Sequence, residues 1–360
     1  MGVRIGMIGL THPHTPGYLR TLDALDPVAG IVLYDPDVQA RERVARQCPK
    51  AEKVYDNLED VLSRPDVPIV LVTLPTNLVP QVLIRAARAG KHLICEKPGA
   101  RSADEFRMVL AALEAGRVCF TVPYLWRAHP AMRTIRDLVS AGALGRLTSV
   151  ELRQVTTQVR LRDPSHWLFR RDVAGGGILS WLGCHWLDLL RYLTGEEVTG
   201  VSAMIDTLSG EAIDVEDVAS VSMRLSSGAV ASLYAGYLLP TGQSGYEGAS
   251  YDQVVILRGS HGILSYQKDG SDHLVTLESV AENWRSAPHQ SFRFTLPTVP
   301  AYGGAHGLAF VGDFIQFALT GEGKNLVSAV DALRVLEILD AAYLSARTGT
   351  VVEVGRSGTE

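Results

Sequence analysis

The sequence predicts two domains of different class: an α/β domain built on a doubly wound parallel sheet over residues 1–123, then an α+β domain with a large open, mainly antiparallel sheet over 124–360. Three observations carry this reading. At 360 residues the chain exceeds the size at which a single hydrophobic core stops growing. The first 123 residues alternate short apolar runs with segments of helical period, the pattern of parallel strands covered by helices. Beyond them, strands with in-out alternation follow one another through short turns, which suits antiparallel pairing.

In the first domain strands are expected at residues 3–8, 30–34, 69–73, 92–95 and 118–122, and helices at 16–25, 38–47, 58–63, 78–89 and 103–115. Gly90 stops the fourth helix, as glycine past a helix end commonly does, and residues 91–92 lead directly into the next strand. In the second domain a helix at 130–141 ends at Gly142 and Gly145. Strands are expected at 148–159, 198–207, 219–225, 230–236, 254–258 and 262–267, and a last helix at 328–347. An open sheet with helices on one face needs cover on the other, so a homodimer or homotetramer through that sheet is expected. Residues 240–250, rich in glycine, read as a mobile loop of the length that lids have.

Composition narrows the function. Hydrophobic residues make up 46% and charged residues 20%, the balance of an ordinary globular protein. A net charge of -5 offers no global attraction to nucleic acid or to an anionic membrane, so neither is an expected partner. No apolar run is long enough to span a bilayer, and residues 1–10 lack the features of a signal peptide, so a cytoplasmic location is expected. The cysteines Cys48, Cys95, Cys119 and Cys184 form no metal-ligand or redox spacing and are expected as reduced thiols. Cys184 adjoins His185, yet packing is the expected role for it.

The first strand runs into Gly9-Leu10-Thr11-His12-Pro13-His14-Thr15-Pro16 and then a helix. A dinucleotide fingerprint asks for glycine at positions 9, 11 and 14, and only Gly9 is present. Thr11 and His14 are expected to reshape the phosphate site. Thr15 can cap the helix and Pro16 suits its first turn, which leaves the helix N-terminus open to an anion. His12 and His14 raise the question of a metal, but no nearby Cys, Asp or Glu completes a ligand set, and no metal is expected. Asp35 closes the second strand, where an acidic side chain accepts from the ribose of NAD and repels the extra phosphate of NADP. The alternative for Asp35 is turn chemistry, since residues 35–37 read Asp-Pro-Asp. Glu96-Lys97-Pro98 follows the strand at 92–95, beyond the carboxyl end where ligands of open α/β sheets bind.

These motifs carry a family likeness. Ala89-Gly90-Lys91-His92 before Glu96-Lys97-Pro98, then Arg127-Ala128-His129-Pro130, Gly175-Gly176-Gly177 and Gly183-Cys184-His185-Trp186-Leu187-Asp188, resemble the glucose-fructose oxidoreductase and inositol dehydrogenase (Gfo/Idh/MocA) family over nearly the whole chain. The resemblance implies a Rossmann domain followed by a substrate-binding and oligomerisation domain, ending in the helix and strand of residues 341–354. It implies NAD(P)-dependent oxidation of a sugar, cyclitol or related polyol, with NAD favoured over NADP by Asp35. It further implies that Lys97 binds the reacting oxygen and that His185 acts as acid or base. Cofactor contacts are expected from Gly9, Thr11, His12, His14, Asp35, Thr73, Leu74, Pro75, Asn77, Glu96 and Lys97. Substrate contacts are expected from Tyr124, Arg127, Trp167, Trp181 and His185, whereas Trp186 is expected to pack in the core. For Arg127 and Arg170 a structural ion pair is the competing account.

The chain also departs from the family pattern. Trp181 stands where the family often has an aspartate, one helical turn before the histidine; indole supplies one N–H donor and a flat face instead of a carboxylate. Val79 and Leu125 replace a histidine and an asparagine frequent in the family. The altered loop and the missing aspartate leave two alternatives to net oxidation: a redox-neutral lyase, epimerase or glycosidase using tightly held NAD, or a binding protein without catalysis.

Overall fold

The protein is described by a computed structural model covering residues 2–45, 48–243, 250–269 and 271–355. The loop expected at 240–250 and the end of the helix expected at 38–47 fall partly outside these described residues. The chain divides into two compact units. The first takes the residues up to Leu125 together with Asp172–Gly175 and Pro297–Leu333; the second takes Trp126–Arg171, Gly176–Leu296 and the chain from Arg334 onward. The units are therefore interleaved in sequence, not two contiguous blocks.

The first unit holds a six-stranded parallel sheet in the order β3-β2-β1-β4-β5-β6. Its elements run β1 (Val3–Ile8), α1 (Thr15–Ala24), β2 (Val28–Tyr34), α2 (Val38–Ala45), β3 (Ala51–Tyr55), α3 (Leu58–Leu62), β4 (Ile69–Val72), α4 (Val79–Arg88), β5 (His92–Cys95), α5 (Ala103–Gly116) and β6 (Phe120–Thr121). Ile5, Met7, Ile31, Leu33, Val70 and Ile94 are all fully buried, as expected where helices cover both faces of a parallel sheet. Strand β3 was not expected. It is a half-exposed edge strand whose Glu52 and Lys53 break any apolar run, so period carries no signal there. The late segment 297–333 joins this unit because it completes the other edge. Thr121 Oγ1 donates to Val327 O at 2.9 Å, and Asn325 Nδ2 donates to Phe120 O at 2.9 Å. Helix α9 (Gly304–Thr320), hidden in sequence by its glycine-rich start, packs on α1.

The second unit holds α6 (Pro130–Ser140), β7 (Leu147–Thr157), α8 (Cys184–Thr194), β8 (Val198–Asp206), β9 (Val218–Leu225), β10 (Val230–Leu239), β11 (Tyr251–Gly259), β12 (Gly262–Asp269), β13 (Asp272–Ser279), β14 (His289–Thr295) and β15 (Val352–Glu353). The short α7 (Arg171–Ala174) and the last helix α10 (Ala329–Thr348) cross the boundary between the units. Nine strands pair in the order β14-β13-β12-β11-β7-β10-β9-β8-β15. All neighbours are antiparallel except β7 and β10, which run parallel, so the sheet is mixed and mainly antiparallel. One face buries Val150, Leu152, Val221, Leu233, Val255 and Leu264. Helices α6 and α8 pack against the sheet. The exposed positions alternate with these and carry Glu151, Ser222, Arg224, Val230 and Tyr234.

Candidate active site

In the first unit, β1 ends at Gly9, whose φ of +98° lies in the left-handed region. A Cβ there would sit 2.5 Å from the Thr73 carbonyl carbon and 2.6 Å from the Leu74 nitrogen, so only glycine fits. The Thr73 hydroxyl donates to Gly9 O at 2.6 Å and lies 3.2 Å from the Thr15 hydroxyl. These bonds knit the loops after β1 and β4 at the point where the strand order reverses, the place where open α/β sheets bind ligands. Thr15 therefore serves the loop; the cap position of α1 falls to His14, whose side chain makes no capping bond. Leu74 is buried, and Pro75 is partly exposed beside it. In the following turn Asn77 Oδ1 is buried and accepts no hydrogen bond among the described residues.

Asp35 hydrogen-bonds the loop itself. Its carboxylate accepts from the backbone N–H of Leu10 and, at 2.7 Å, from that of Asp37, and burial pushes its carboxyl above the usual range. Turn chemistry, the alternative reading, is thus present, and the same side chain anchors the phosphate loop.

Both loop imidazoles turn inward. His14 N donates to His12 Nδ1 at 3.0 Å, and His14 Nδ1 lies 3.0 Å from Glu96 Oε1. The other oxygen of Glu96 accepts from Tyr18 Oη. Lys97 Nζ is fully buried, 3.8 Å from Glu96 Oε1. Burial alone would raise the Glu96 carboxyl, but the positive charge of His14, Lys97 and His12 outweighs it and holds the group well below the usual carboxylate range. Tyr302 covers this cluster, with ring centroids 4.6 Å from His14 and 4.4 Å from Tyr18. The Lys97-Pro98 peptide is cis.

The expectation that no acid stands near His12 and His14 is corrected here. The β1 loop and the end of β5 meet, and one ligand atom from each of His12, His14 and Glu96 lies within 4.8 Å of the others. These side chains are also engaged with other groups of the protein. His12 Nδ1 already accepts an amide proton, which puts the proton of a neutral ring on Nε2, and an ammonium stands beside the carboxylate.

In the second unit the glycine run opens an unusual helix. A Cβ on Gly176 would lie 1.9 Å from Tyr343 Oη, and one on Gly177 would lie 1.9 Å from Glu216 O, so the backbone passes where no side chain fits. The chain then forms a π-helix over Leu179–Gly183 before α8. Such widened turns recur at functional sites. Glu216 supports it from below. Its backbone O accepts from Ile178 N at 3.0 Å, and its Oε1 accepts from Leu179 N at 3.0 Å and from Tyr343 Oη at 2.9 Å. Oε2 is buried with no hydrogen bond among the described residues, and burial pushes the carboxyl up.

This helix positions Trp181 and, in the first turn of α8, the partly exposed His185. Trp181 is 6% exposed and packs with Val159, Leu168, Phe169, Ile178 and Tyr237. It lines the edge of this apolar cluster. Trp167 packs edge-on against it, ring centroids 6.5 Å apart, and remains partly exposed. Arg127 makes the structural ion pair that was its competing account: its guanidinium grips Asp188 at two points, Nε to Oδ2 at 2.9 Å and Nη2 to Oδ1 at 2.6 Å, both side chains buried. The fork that was expected to bind substrate holds α8 in place. Arg170 pairs with Asp214 at 3.7 Å on the surface. Trp186 is a core residue as expected, donating to Gln154 Oε1 at 2.6 Å. Tyr124, in the first unit, is fully buried.

Residues 3–124 match the family described as an oxidoreductase family with NAD-binding Rossmann fold, and residues 132–265 match the GFO/IDH/MocA C-terminal domain. The myo-inositol 2-dehydrogenase of Thermotoga maritima is 30% identical over 269 residues, spanning 72% of this chain and 74% of that protein. The chain belongs to the Gfo/Idh/MocA family of NAD-binding oxidoreductases. The levoglucosan dehydrogenase of Pseudarthrobacter phenanthrenivorans is 28% identical over 341 residues, 84% of either chain. The structure of a levoglucosan dehydrogenase in complex with NADH and levoglucosan superposes with a TM-score of 0.83 at 23% identity, covering 99% of this chain and all of that one, which supports the shared fold.

Within this family fold, sequence reasoning missed Tyr18, Tyr302, Glu216 and Tyr343. Tyr18 was findable, since it stands one helical turn after His14 on the same face of α1. Nothing local to Tyr302 or Glu216 signals a role, because both meet their partners only through tertiary structure.

Proposed function

We propose that the protein is an NAD-dependent dehydrogenase that oxidises a secondary alcohol of a sugar or cyclitol. The observation that carries this reading is the buried Lys97 ammonium at the carboxyl end of β5 in an NAD-binding Rossmann unit, held beside an anionic Glu96. The chain's own residues fit the nucleotide. Gly9 lets the β1 loop pass against β4, the N-terminus of α1 follows it, Asp35 closes β2, and the orphaned Asn77 Oδ1 is an acceptor awaiting a donor. Bound NAD supplies the hydride acceptor. The acidic Asp35 favours NAD over its phosphorylated form.

Lys97 holds the substrate oxygen and stabilises the alkoxide that develops on it. His185 takes the hydroxyl proton as general base, a role that imidazole commonly fills. Trp167, the more exposed of the two paired indoles, offers a flat face to the C–H side of a sugar ring. The polar supply on the second unit is thin, because Arg127 is committed to Asp188 and an indole stands at position 181.

The protein is further inferred to be a cytoplasmic homo-oligomer. No described helix is long and apolar enough to cross a membrane, and the described cysteines form no disulfide. The outer face of the nine-stranded sheet exposes Val230 and Tyr234, apolar surface that a second copy would cover.

The test is NADH formation with a panel that includes levoglucosan, myo-inositol and common aldoses. Stoichiometric NADH with one member supports the reading. Product without net NADH, or no binding of NADH at all, overturns it.

A further inference from the structure

The loop of the Rossmann unit carries histidine at a position where dinucleotide loops carry glycine, and that imidazole faces the carboxylate beside Lys97. We propose that His14 is a positioning residue that tunes the acidity of Lys97 by competing for Glu96. The proposal rests on the dehydrogenase reading, in which Lys97 meets the reacting oxygen.

Glu96 is a single buried anion that His14 and Lys97 both approach through one oxygen. Oε1 stands 3.0 Å from His14 Nδ1 and 3.8 Å from Lys97 Nζ, and Oε2 is taken by Tyr18. A carboxylate accepts only, so the proton of that contact sits on His14 Nδ1. Imidazole and ammonium thus share one counter-charge in a site where solvent screens neither.

The imidazole cannot drift from this duty. Its own backbone N–H bonds His12 Nδ1, its ring lies against Tyr302, and Tyr302 N donates to Thr21 Oγ1 at 2.9 Å, which fixes the covering segment on α1. The titratable groups around Glu96 are His12 and His14 from the β1 loop, Tyr18 from α1, Cys95 and Lys97 from the β5 end, and Tyr302 from the late segment. His14 and Lys97 stand 3.0 and 3.8 Å from Oε1, and His12 adds positive charge to the same cluster.

The chemical consequence follows from sharing. An ammonium fully neutralised by its own carboxylate is a poor hydrogen-bond donor and a weak acid. When His14 draws part of that charge, Lys97 is left more acidic and donates more strongly to a developing alkoxide. The two cations titrate as a coupled pair, so the working pH range belongs to the pair.

Lysine labelled with carbon-13 at Cε reports the charge of Lys97 directly by NMR, with Lys97→Met assigning its signal; no turnover is needed. His14→Asn keeps a neutral donor to Glu96, and His14→Gly restores the usual loop glycine. Both are expected to raise the Lys97 midpoint by about one pH unit. Glu96→Gln is expected to lower it by at least as much, and these opposite signs would not arise from a shared structural defect. The pH profile of kcat for any panel-positive polyol should shift in the same directions, with KM for NAD changed less. A Lys97 midpoint unmoved in both His14 variants overturns the proposal. So does a divalent metal bound one per chain in the wild type and lost in His14→Asn. Failure of the dehydrogenase reading shows separately, as absent NADH turnover with the Lys97 titration still coupled.

Discussion

Arg127 and Asp188 form a two-point buried ion pair between the start of the second unit and α8. Removing one partner strands the other charge out of water, so Arg127→Ala is expected to cost about 3–5 kcal/mol in urea unfolding. The double variant with Asp188→Ala should cost less than the two single changes together. A rise in KM with stability unchanged would instead return Arg127 to the substrate. Glu216 carries the opposite electrostatic sign. Its folded-state pKa lies above the unfolded value, so its favourable contribution is present at low pH and is lost as pH rises through the folded pKa. Glu216→Gln keeps an acceptor for Leu179 and Tyr343 but carries no charge; its Tm relative to wild type is therefore expected to climb as pH rises from the ordinary carboxylate range through the raised folded-state pKa. Glu216→Ala leaves the Leu179 N–H and the Tyr343 hydroxyl unpaired, at about 1–3 kcal/mol each.

At the scale of elements, the glycine run and the π-helix act as one device. Gly177 brings the chain against Glu216 O so closely that Gly177→Ala forces the start of the π-helix to move. Loss of cooperative unfolding, or a Tm drop of several degrees with the Rossmann unit's NADH affinity retained, is the expected outcome in calorimetry and titration. An unchanged Tm would contradict it. The same elements mark where the sequence was legible. Period and turn chemistry set out β1, β4, β5 and helices α1, α4, α5, α6 and α10, since those patterns are local. Half-exposed edge strands such as β3 and β14, and a helix that begins Gly-Ala-His-Gly, carry no such local pattern. Motifs located Lys97 and the phosphate loop, but not what their neighbours do. Glu96 is 82 residues from His14 in sequence, Asp188 is 61 from Arg127, and only folding shows that both arginine and imidazole are already engaged.

For the whole molecule, the nine-stranded sheet leaves one broad face with Val230, Ser232 and Tyr234 in register against Arg224, Ser222 and Ser220. If this face is the proposed self-association surface, Tyr234→Glu combined with Val230→Glu should give monomers in size-exclusion chromatography with light scattering where wild type gives a larger species, with NADH affinity intact. A wild-type chain that is already monomeric would refute the inferred assembly. The interleaving of the two units has its own consequence. Because segment 297–333 completes the edge of the first sheet through Thr121 and Asn325, the isolated residues 1–123 lack part of their own unit.

The central claim is that Lys97 meets the reacting oxygen on an NAD-dependent dehydrogenase. Its most direct test measures, for Lys97→Ala, both NADH affinity and NADH formation with the panel member that wild type oxidises. The account predicts turnover down by about a hundredfold or more with NADH affinity changed little; turnover within a few fold of wild type would contradict it.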